Sequence, residues 1–136
     1  MKEVRALGIL SSLEGQAAYS ERRGEMLALS DSLASPDRGL VSNYLRNGGG
    51  VLAIMEHTKD IIGAKFDVAG GSGILTDGHY FWRGDAADYV DTYGISPGAE
   101  FVEHVRRQGG KPKALTQGEM IEIDDFLSES RRRGEF

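Results

Sequence analysis

Histidine and carboxylate side chains are the groups of this chain best suited to acid–base chemistry or metal binding. The chain has three histidines, His57, His79 and His104, and none belongs to an H-E-x-x-H pattern or pairs with another at i, i+2 or i+4. His57 ends an apolar run and opens a loop, where functional groups commonly lie. Asp60 and Asp77 follow it. One candidate site therefore combines His57, Asp60 and Asp77 in a small enzyme or ligand-binding protein.

The remaining residues give little further support for catalysis. His79 is expected on a sheet face, and His104 lies on the charged side of a helix, where we expect it to be exposed. The absence of cysteine excludes disulfides and sulfur-ligated zinc. Gly70–Gly73 leads into a strand rather than a helix, so it does not match a phosphate loop. We expect no metal and no cofactor, and the sequence does not favour an enzyme.

Negative charge is concentrated in one part of the chain. The formal net charge is −5, and residues 76–104 contain six carboxylates against the single basic residue Arg83. An acidic balance disfavours nucleic-acid binding, which needs clustered Lys and Arg, and attracts a basic protein partner. Asp85, Asp88 and Asp91 are the candidate contacts. The alternative interpretation is a solvated acidic face that keeps the protein in solution.

A β-hairpin over residues 73–82 must position several of these side chains. Asp77-Gly78 stands between two short runs rich in β-branched and aromatic residues. An Asp-Gly pair accepts the positive φ that both central positions of a type I′ turn require. A turn centred there would place Thr76 opposite His79.

The two faces of this hairpin carry different side chains. Alternation along the strand puts His79 and Phe81 on one face and Tyr80 and Trp82 on the other. If the second face is uncovered, Tyr80 and Trp82 form an interaction patch together with Arg83. If it is covered, the aromatic side chains belong to the core.

Apolar periodicity predicts the other elements. Gly50–Glu56 is apolar on both faces, which is typical of a central strand. Residues 14–34 show no clear period and are predicted to be irregular or to hold an edge strand at 25–29. The predicted helices are 3–13, 36–46, 85–93, one that starts at Ser96-Pro97 and one that starts at a capping box, Thr116–Glu119.

These elements predict an α+β fold in one domain, residues 1–136. We expect a small antiparallel sheet, made of the central strand near 50–56 and the hairpin 73–82, with four to five helices packed on one side. No run approaches the roughly 20 apolar residues of a membrane span, and no signal peptide is visible. A cytoplasmic protein without membrane contact is expected.

The segment Ile74–Gly94 also carries a longer pattern. A T-D-G-H-Y-F-W hairpin leads into a D-x-x-x-Y-V-x-x-Y helix. This pattern resembles one found in small uncharacterised bacterial proteins, some of which are similar to immunity proteins of bacterial toxin systems. The resemblance covers residues 40–105 and brings no catalytic residues with it.

Three functions follow as hypotheses. The first is a non-catalytic protein-binding or regulatory domain, immunity-like, that neutralises a basic partner. The second is an enzyme or ligand-binding protein that uses the His57–Asp60 loop. The third is a structural homo-oligomer joined through the hairpin sheet. The sequence predicts no particular oligomeric state.

Overall fold

Six strands and six α-helices make up the fold in the computed structural model, which describes residues 1–135. A short 3-10 helix, Gly8–Ser11, follows the first strand. The predicted α+β class is confirmed. The strands are β1 (Arg5–Ala6), β2 (Gly49–Leu52), β3 (His57–Lys59), β4 (Asp67–Ala69), β5 (Ile74–Thr76) and β6 (Tyr80–Arg83). The helices are α1 (Gln16–Ser20), α2 (Arg23–Ala28), α3 (Ser35–Arg46), α4 (Ala86–Tyr93), α5 (Ala99–Arg107) and α6 (Gln117–Arg132).

The main sheet has the strand order β1-β6-β5-β2, and β3 and β4 form a separate two-stranded sheet. β1 pairs with β6 in parallel, whereas the other pairings are antiparallel. The sheet is therefore mixed, and the strand predicted near 50–56 is shorter and lies at an edge rather than at the centre. The strand is short because its register shifts between Gly50 and Leu52, and after Leu52 the chain leaves the sheet and continues into β3.

Helices cover both faces of the main sheet, whereas we had expected them on one side. Tyr80 and Trp82 belong to a core shared with α3, α4 and α5. Phe81 and Ile74 point the other way and pack with Ile123 of α6. The alternation predicted for Tyr80, Phe81 and Trp82 is thus confirmed, whereas His79 lies in the turn outside the strand, with its ring beside that of His104. Both faces of the hairpin are interior.

The prediction of a helix over residues 3–13 is wrong. Arg5 and Ala6 instead pair with Tyr80 and Phe81 of β6, and Gly8 then takes a positive φ of 57°. Apolar residues recur every three positions in this stretch, at Val4, Leu7, Leu10 and Leu13, although the backbone is an extended segment followed by a 3-10 turn. Two residues of strand leave too short a pattern to distinguish from a helix.

Residues 14–34, predicted to be irregular or to contain an edge strand at 25–29, contain α1 and α2. Tyr19 and Met26 anchor these short helices, and both are almost completely buried. The hydroxyl of Tyr19 donates a hydrogen bond of 2.8 Å to the carbonyl oxygen of Ile9. Such tertiary contacts stabilise both helices, because an isolated helix of five or six residues is not stable in water.

The hairpin forms as predicted, but its turn is displaced by one residue. Thr76 lies opposite Phe81, not His79, so the connection is Gly78-His79. Gly78 has a φ of 92°, whereas Asp77 does not have a positive φ. The Asp77 carboxylate explains the displacement, because its Oδ1 accepts hydrogen bonds from the backbone nitrogens of His79 (2.9 Å) and Tyr80 (2.8 Å) and so organises the turn that follows it.

The helices with local start and stop signals agree with prediction. α3 carries proline in its first turn, and α4 ends at Gly94 with a left-handed φ of 64°. At α6 the capping box is complete, with Thr116 and Glu119 each accepting a hydrogen bond from the backbone nitrogen of the other. The helix expected from Ser96-Pro97 begins slightly later, at Ala99.

Gly84 lies where no side chain fits, which provides a first test of the packing. A Cβ at this position would lie 2.7 Å from the carbonyl oxygen of Gly70. We expect Gly84→Ala to lower the free energy of unfolding by about 1–3 kcal/mol through overpacking, measured by urea denaturation. Gly24→Ala in α2 is the matched control, since nothing lies within 4 Å of its Cβ. The control should stabilise by about 0.5–1 kcal/mol. Equal effects of the two variants would contradict the packing argument.

Candidate functional site

The aromatic residues proposed for an interaction patch lie inside the protein. Tyr80 is 8% exposed and Trp82 is 1% exposed. The indole Nε1 of Trp82 donates a hydrogen bond of 2.9 Å to the carbonyl oxygen of Leu45, and both rings pack against Phe101. The condition for the patch, an uncovered strand face, is not met. These two residues are core residues.

Arg83 and Asp85 form a buried ion pair. Nε and Nη2 of Arg83 donate to the two carboxylate oxygens of Asp85 at 2.9 and 3.1 Å, and the hydroxyl of Thr58 donates to Asp85 Oδ2 at 2.9 Å. The guanidinium lies 3.7 Å from the ring centroid of Tyr19. Burial would lower the pKa of Arg83, but the bond to Asp85 outweighs burial and raises it. The pair connects β6 to the N-terminal helices and to β3, and it is not available to a partner.

The other acids of the 76–104 block are largely compensated at the surface. Asp88 and Asp91 of α4 both lie within ion-pair distance of Arg46, at 3.4 and 3.0 Å. Asp91 also accepts a hydrogen bond from the hydroxyl of Ser42. In the same block, Glu100 pairs with Arg5 at 2.8 Å. The local excess of negative charge seen in the sequence is therefore not an uncompensated acidic surface.

The alternative site does not assemble around His57. His57 is exposed in β3, and within residues 1–135 its side chain has no hydrogen-bond or ion-pair partner. The carboxylate of Asp60 accepts bonds from the backbone nitrogens of Ile62 and Lys65 and from the hydroxyl of Tyr93. Asp60 thus organises its own loop. Asp77 belongs to the main sheet, where other groups occupy its carboxylate.

The structure instead brings Asp77 together with a histidine that sequence reasoning placed in solvent. His104 is only 7% exposed, and its Nε2 lies 2.7 Å from Asp77 Oδ2. The same oxygen accepts a bond of 2.5 Å from the hydroxyl of Tyr44. The prediction of an exposed His104 is wrong because α5 turns this residue toward the sheet, where its ring contacts Tyr80 and Phe101.

The electrostatics of this Tyr44–Asp77–His104 cluster determine which protons its members carry. Burial would raise the pKa of Asp77, but hydrogen bonds from Tyr44, from the turn backbone and from His104 outweigh it and lower the pKa. Burial and the neighbouring Asp77 raise the pKa of Tyr44 well above its usual range. Asp77 is therefore an ionised acceptor and Tyr44 a neutral donor. Since a carboxylate only accepts, Nε2 of His104 must carry a hydrogen.

A signal for His104 was present in the sequence. Phe101, His104 and Val105 lie at i, i+3 and i+4, so they share one stripe of a helix. The stripe is the buried side of α5, on which all three residues are inaccessible or nearly so. Weighing position within the stripe above the charge of neighbouring residues would have placed His104 inside. No comparable signal indicated Asp77 as its partner, because the two meet only through the tertiary fold.

A second feature outside the predicted residues is the open edge of the main sheet. β2 has β5 as its strand neighbour on one side, and among residues 1–135 no strand pairs with its other side. The segment that continues β2 is apolar, Val51 to Met55, and Met55 is fully exposed. Unpaired strand edges of this kind accept an additional strand from another chain.

Two further findings concern metals and membranes. In the part of the chain that the structure describes, no group of three or more His, Asp or Glu side chains is placed to hold a metal ion. Among the helices of residues 1–135, none combines the length and the apolar character that crossing a bilayer requires.

The chain was compared with protein families, with curated proteins and with solved structures. No protein-family model, no curated protein and no solved structure matches it.

Proposed function

We propose that the chain is a non-catalytic protein-binding domain, immunity-like in role, which receives an extended basic segment of its partner along the outer edge of β2. The observation that carries this proposal is the unpaired edge of Gly49–Leu52, continued by a segment in which Met55 is fully exposed. Strand addition at such an edge supplies affinity through main-chain hydrogen bonds and specificity through alternate side chains.

The edge has few side chains that would obstruct a partner strand. Gly50 is exposed, and nothing lies within 4 Å of a Cβ built on it. Natural proteins commonly protect a sheet edge with charged residues or proline. The run Gly48–Met55 contains neither. An edge left open in this way favours a docking role.

Charge favours a basic partner at one end of this edge. The net charge of the chain is −5. Met120 of α6 packs against Gly49, and Asp124, one turn later on the same side of the helix, is exposed. Lys111 and Lys113 lie beside the start of β2. Because the two lysines repel positive charge near Gly49, we expect the basic residues of the partner to lie toward Val51–Met55.

The residues behind the resemblance to immunity proteins have structural roles. Asp77 organises the turn, Trp82 packs in the core and Tyr89 of α4 is fully buried. They maintain the scaffold, so a partner would be chosen elsewhere, by residues outside this pattern. The edge of β2 is such a place.

A substitution at Met55 tests the proposal. Met55→Lys removes an apolar contact and adds a charge that repels a basic segment, so we expect it to weaken partner binding at least about tenfold. The measurement is affinity purification with the tagged chain from its own cells, followed by hydrogen exchange on the recovered complex. A basic protein that protects the amides of residues 50–55 is the expected result.

Leu27→Lys is the matched control, because Leu27 is a 45% exposed apolar residue in α2, and binding should survive it. A complex that also survives Met55→Lys, or protection confined to other residues, contradicts the proposal. So does the absence of any partner. A dimer of this chain that sedimentation detects and Met55→Lys dissolves would favour the homo-oligomer instead.

A further inference from the structure

A cavity of about 430 Å³ lies at the start of β2, between the C-terminal part of α3 and residues 111–115, which precede α6. Its volume falls within the range of small-molecule sites, about 300–1,000 Å³. Gly49, the first residue of β2, belongs to its wall. The cavity therefore adjoins one end of the strand edge that we propose as a docking site.

Lys111 and Lys113 bring two positive charges to this cavity, and among the described residues that line it none is acidic. Lys111 has no ion-pair partner within residues 1–135. Lys113 lies 3.8 Å from Glu119, but that carboxylate is held more closely by Lys2, at 2.8 Å, and by the backbone nitrogen of Thr116. Lysine side chains are charged at neutral pH, so positive charge exceeds negative charge at this place in a chain of net charge −5.

Two asparagines of α3 and its C-terminus add neutral hydrogen-bonding groups to the cavity. Nδ2 of Asn47 donates a hydrogen bond of 2.7 Å to the carbonyl oxygen of Asn43, so this carbonyl near the end of α3 is already occupied. The side-chain NH₂ of Asn43 is exposed and donates to no group of residues 1–135. The cavity thus offers two ammonium groups and one amide donor, which are the groups that complement a carboxylate.

We propose that this cavity binds the C-terminal carboxylate of the partner, whose preceding residues form the strand added to β2, an inference that rests on the docking role proposed above. Main-chain hydrogen bonds hold the strand, and Lys111, Lys113 and Asn43 hold the carboxylate at its end. Capture of a terminal carboxylate is one of the recurring ways in which proteins recognise an extended peptide.

The position of the cavity determines the direction of the partner strand. β2 runs from Gly49 to Leu52. A strand that ends beside Gly49 runs the opposite way, so the pairing is antiparallel, which is slightly the more stable arrangement. The residues before the terminus then lie along Val51–Met55, where we expect the basic side chains. The same two lysines that repel those side chains attract the carboxylate.

The test compares two synthetic hexapeptides of alternating lysine and valine, both acetylated and both ending in valine, one with a free carboxylate and one with a carboxamide. NMR follows the backbone amides of Gly49–Leu52 and the side-chain amides of Asn43 and Asn47, the only asparagines of the chain. We expect the free acid to bind about tenfold more tightly. Long-range attraction to a chain of net charge −5 would favour the carboxamide instead, because it carries one more net positive charge.

Two pairs of substitutions locate the effect. Lys111→Ala combined with Lys113→Ala should lower the affinity for the free acid to that for the carboxamide. Lys59→Ala combined with Lys65→Ala is the matched control, because it removes the same charge from exposed positions in and after β3, and the preference for the free acid should survive it.

The outcomes distinguish this inference from the docking proposal. Equal affinity of the two peptides, with shifts in Gly49–Leu52, would overturn carboxylate capture and leave the docking edge standing. A preference for the free acid that survives the loss of Lys111 and Lys113 would overturn the assigned site. Binding of neither peptide, or shifts confined to residues outside β2 and the cavity, would contradict both proposals.

Discussion

Replacing Arg83 by alanine is expected to lower the free energy of unfolding by about 3–5 kcal/mol. The variant loses the bidentate bond to Asp85, the bonds to the carbonyl oxygens of Ser12 and Glu14 and the contact with the ring of Tyr19. It also leaves the Asp85 carboxylate, 1% exposed, without its counter-charge. Burial raises the pKa of Asp85, and with Arg83 gone nothing of comparable strength opposes this effect.

Urea denaturation at neutral pH measures this loss. Arg46→Ala is the control, since Arg46 also pairs with two aspartates but at the surface, where such pairs contribute roughly 0–1 kcal/mol. The double variant Arg83→Met with Asp85→Leu should be less destabilised than Arg83→Ala, because it removes both buried charges. If Arg83→Ala cost no more than Arg46→Ala, the ion pair would not have the structural role assigned to it.

Asp77→Asn is expected to cost about 3 kcal/mol at neutral pH. The amide retains the shape of the carboxylate but not its charge, and it cannot accept the bonds of Tyr44 and His104 at the same oxygen as strongly. The backbone bonds from His79 and Tyr80 that form the turn are weakened as well. The substitution therefore affects the turn, α3 and α5 together.

The same variant has a defined pH dependence. The pKa of Asp77 is lowered in the folded protein, so its ionised form stabilises the fold above the unfolded pKa of about 3.9 and this stability is lost as pH falls through the folded value. The difference between wild type and Asp77→Asn should be constant from about pH 5 to 7 and should shrink below about pH 4. Urea midpoints across this range measure this difference.

Asp67→Asn is the control, because Asp67 lies at an exposed position in β4, and its stability should not differ comparably from that of the wild type. A stability difference for Asp77→Asn that is independent of pH would contradict the role of the charge.

Local signals explain which elements were predictable. The start of α6 follows from its capping box, and the end of α4 follows from Gly94, because caps depend on residues a few positions apart. β1 had no such signal. Its two residues form a strand only because β6 offers a partner, and pairing between distant segments leaves no period in so short a stretch.

The candidate functional residues show the same difference between what local sequence predicts and what only tertiary contacts determine. The shared face of Tyr80 and Trp82 is predictable from the sequence, whereas their burial depends on the packing of α3 and α5, which has no local signal. The charge pattern predicts Asp85 to be a surface acid, although Arg83 stands only two positions before it. The same sequence is compatible with an exposed aspartate and with an aspartate in a buried ion pair. The pair is buried here because the N-terminal helices pack over it.

The parallel pairing of β1 with β6 has a consequence for synthesis of the chain. Arg5 and Ala6 leave the ribosome well before their strand partners, Tyr80 and Phe81, which follow more than seventy residues later. Closing so long a loop costs conformational entropy, which slows the pairing of the two strands. No native contact between them can offset this cost until β6 has emerged. The nascent β1 segment must therefore remain unpaired until β6 has emerged, and this side of the sheet closes only then.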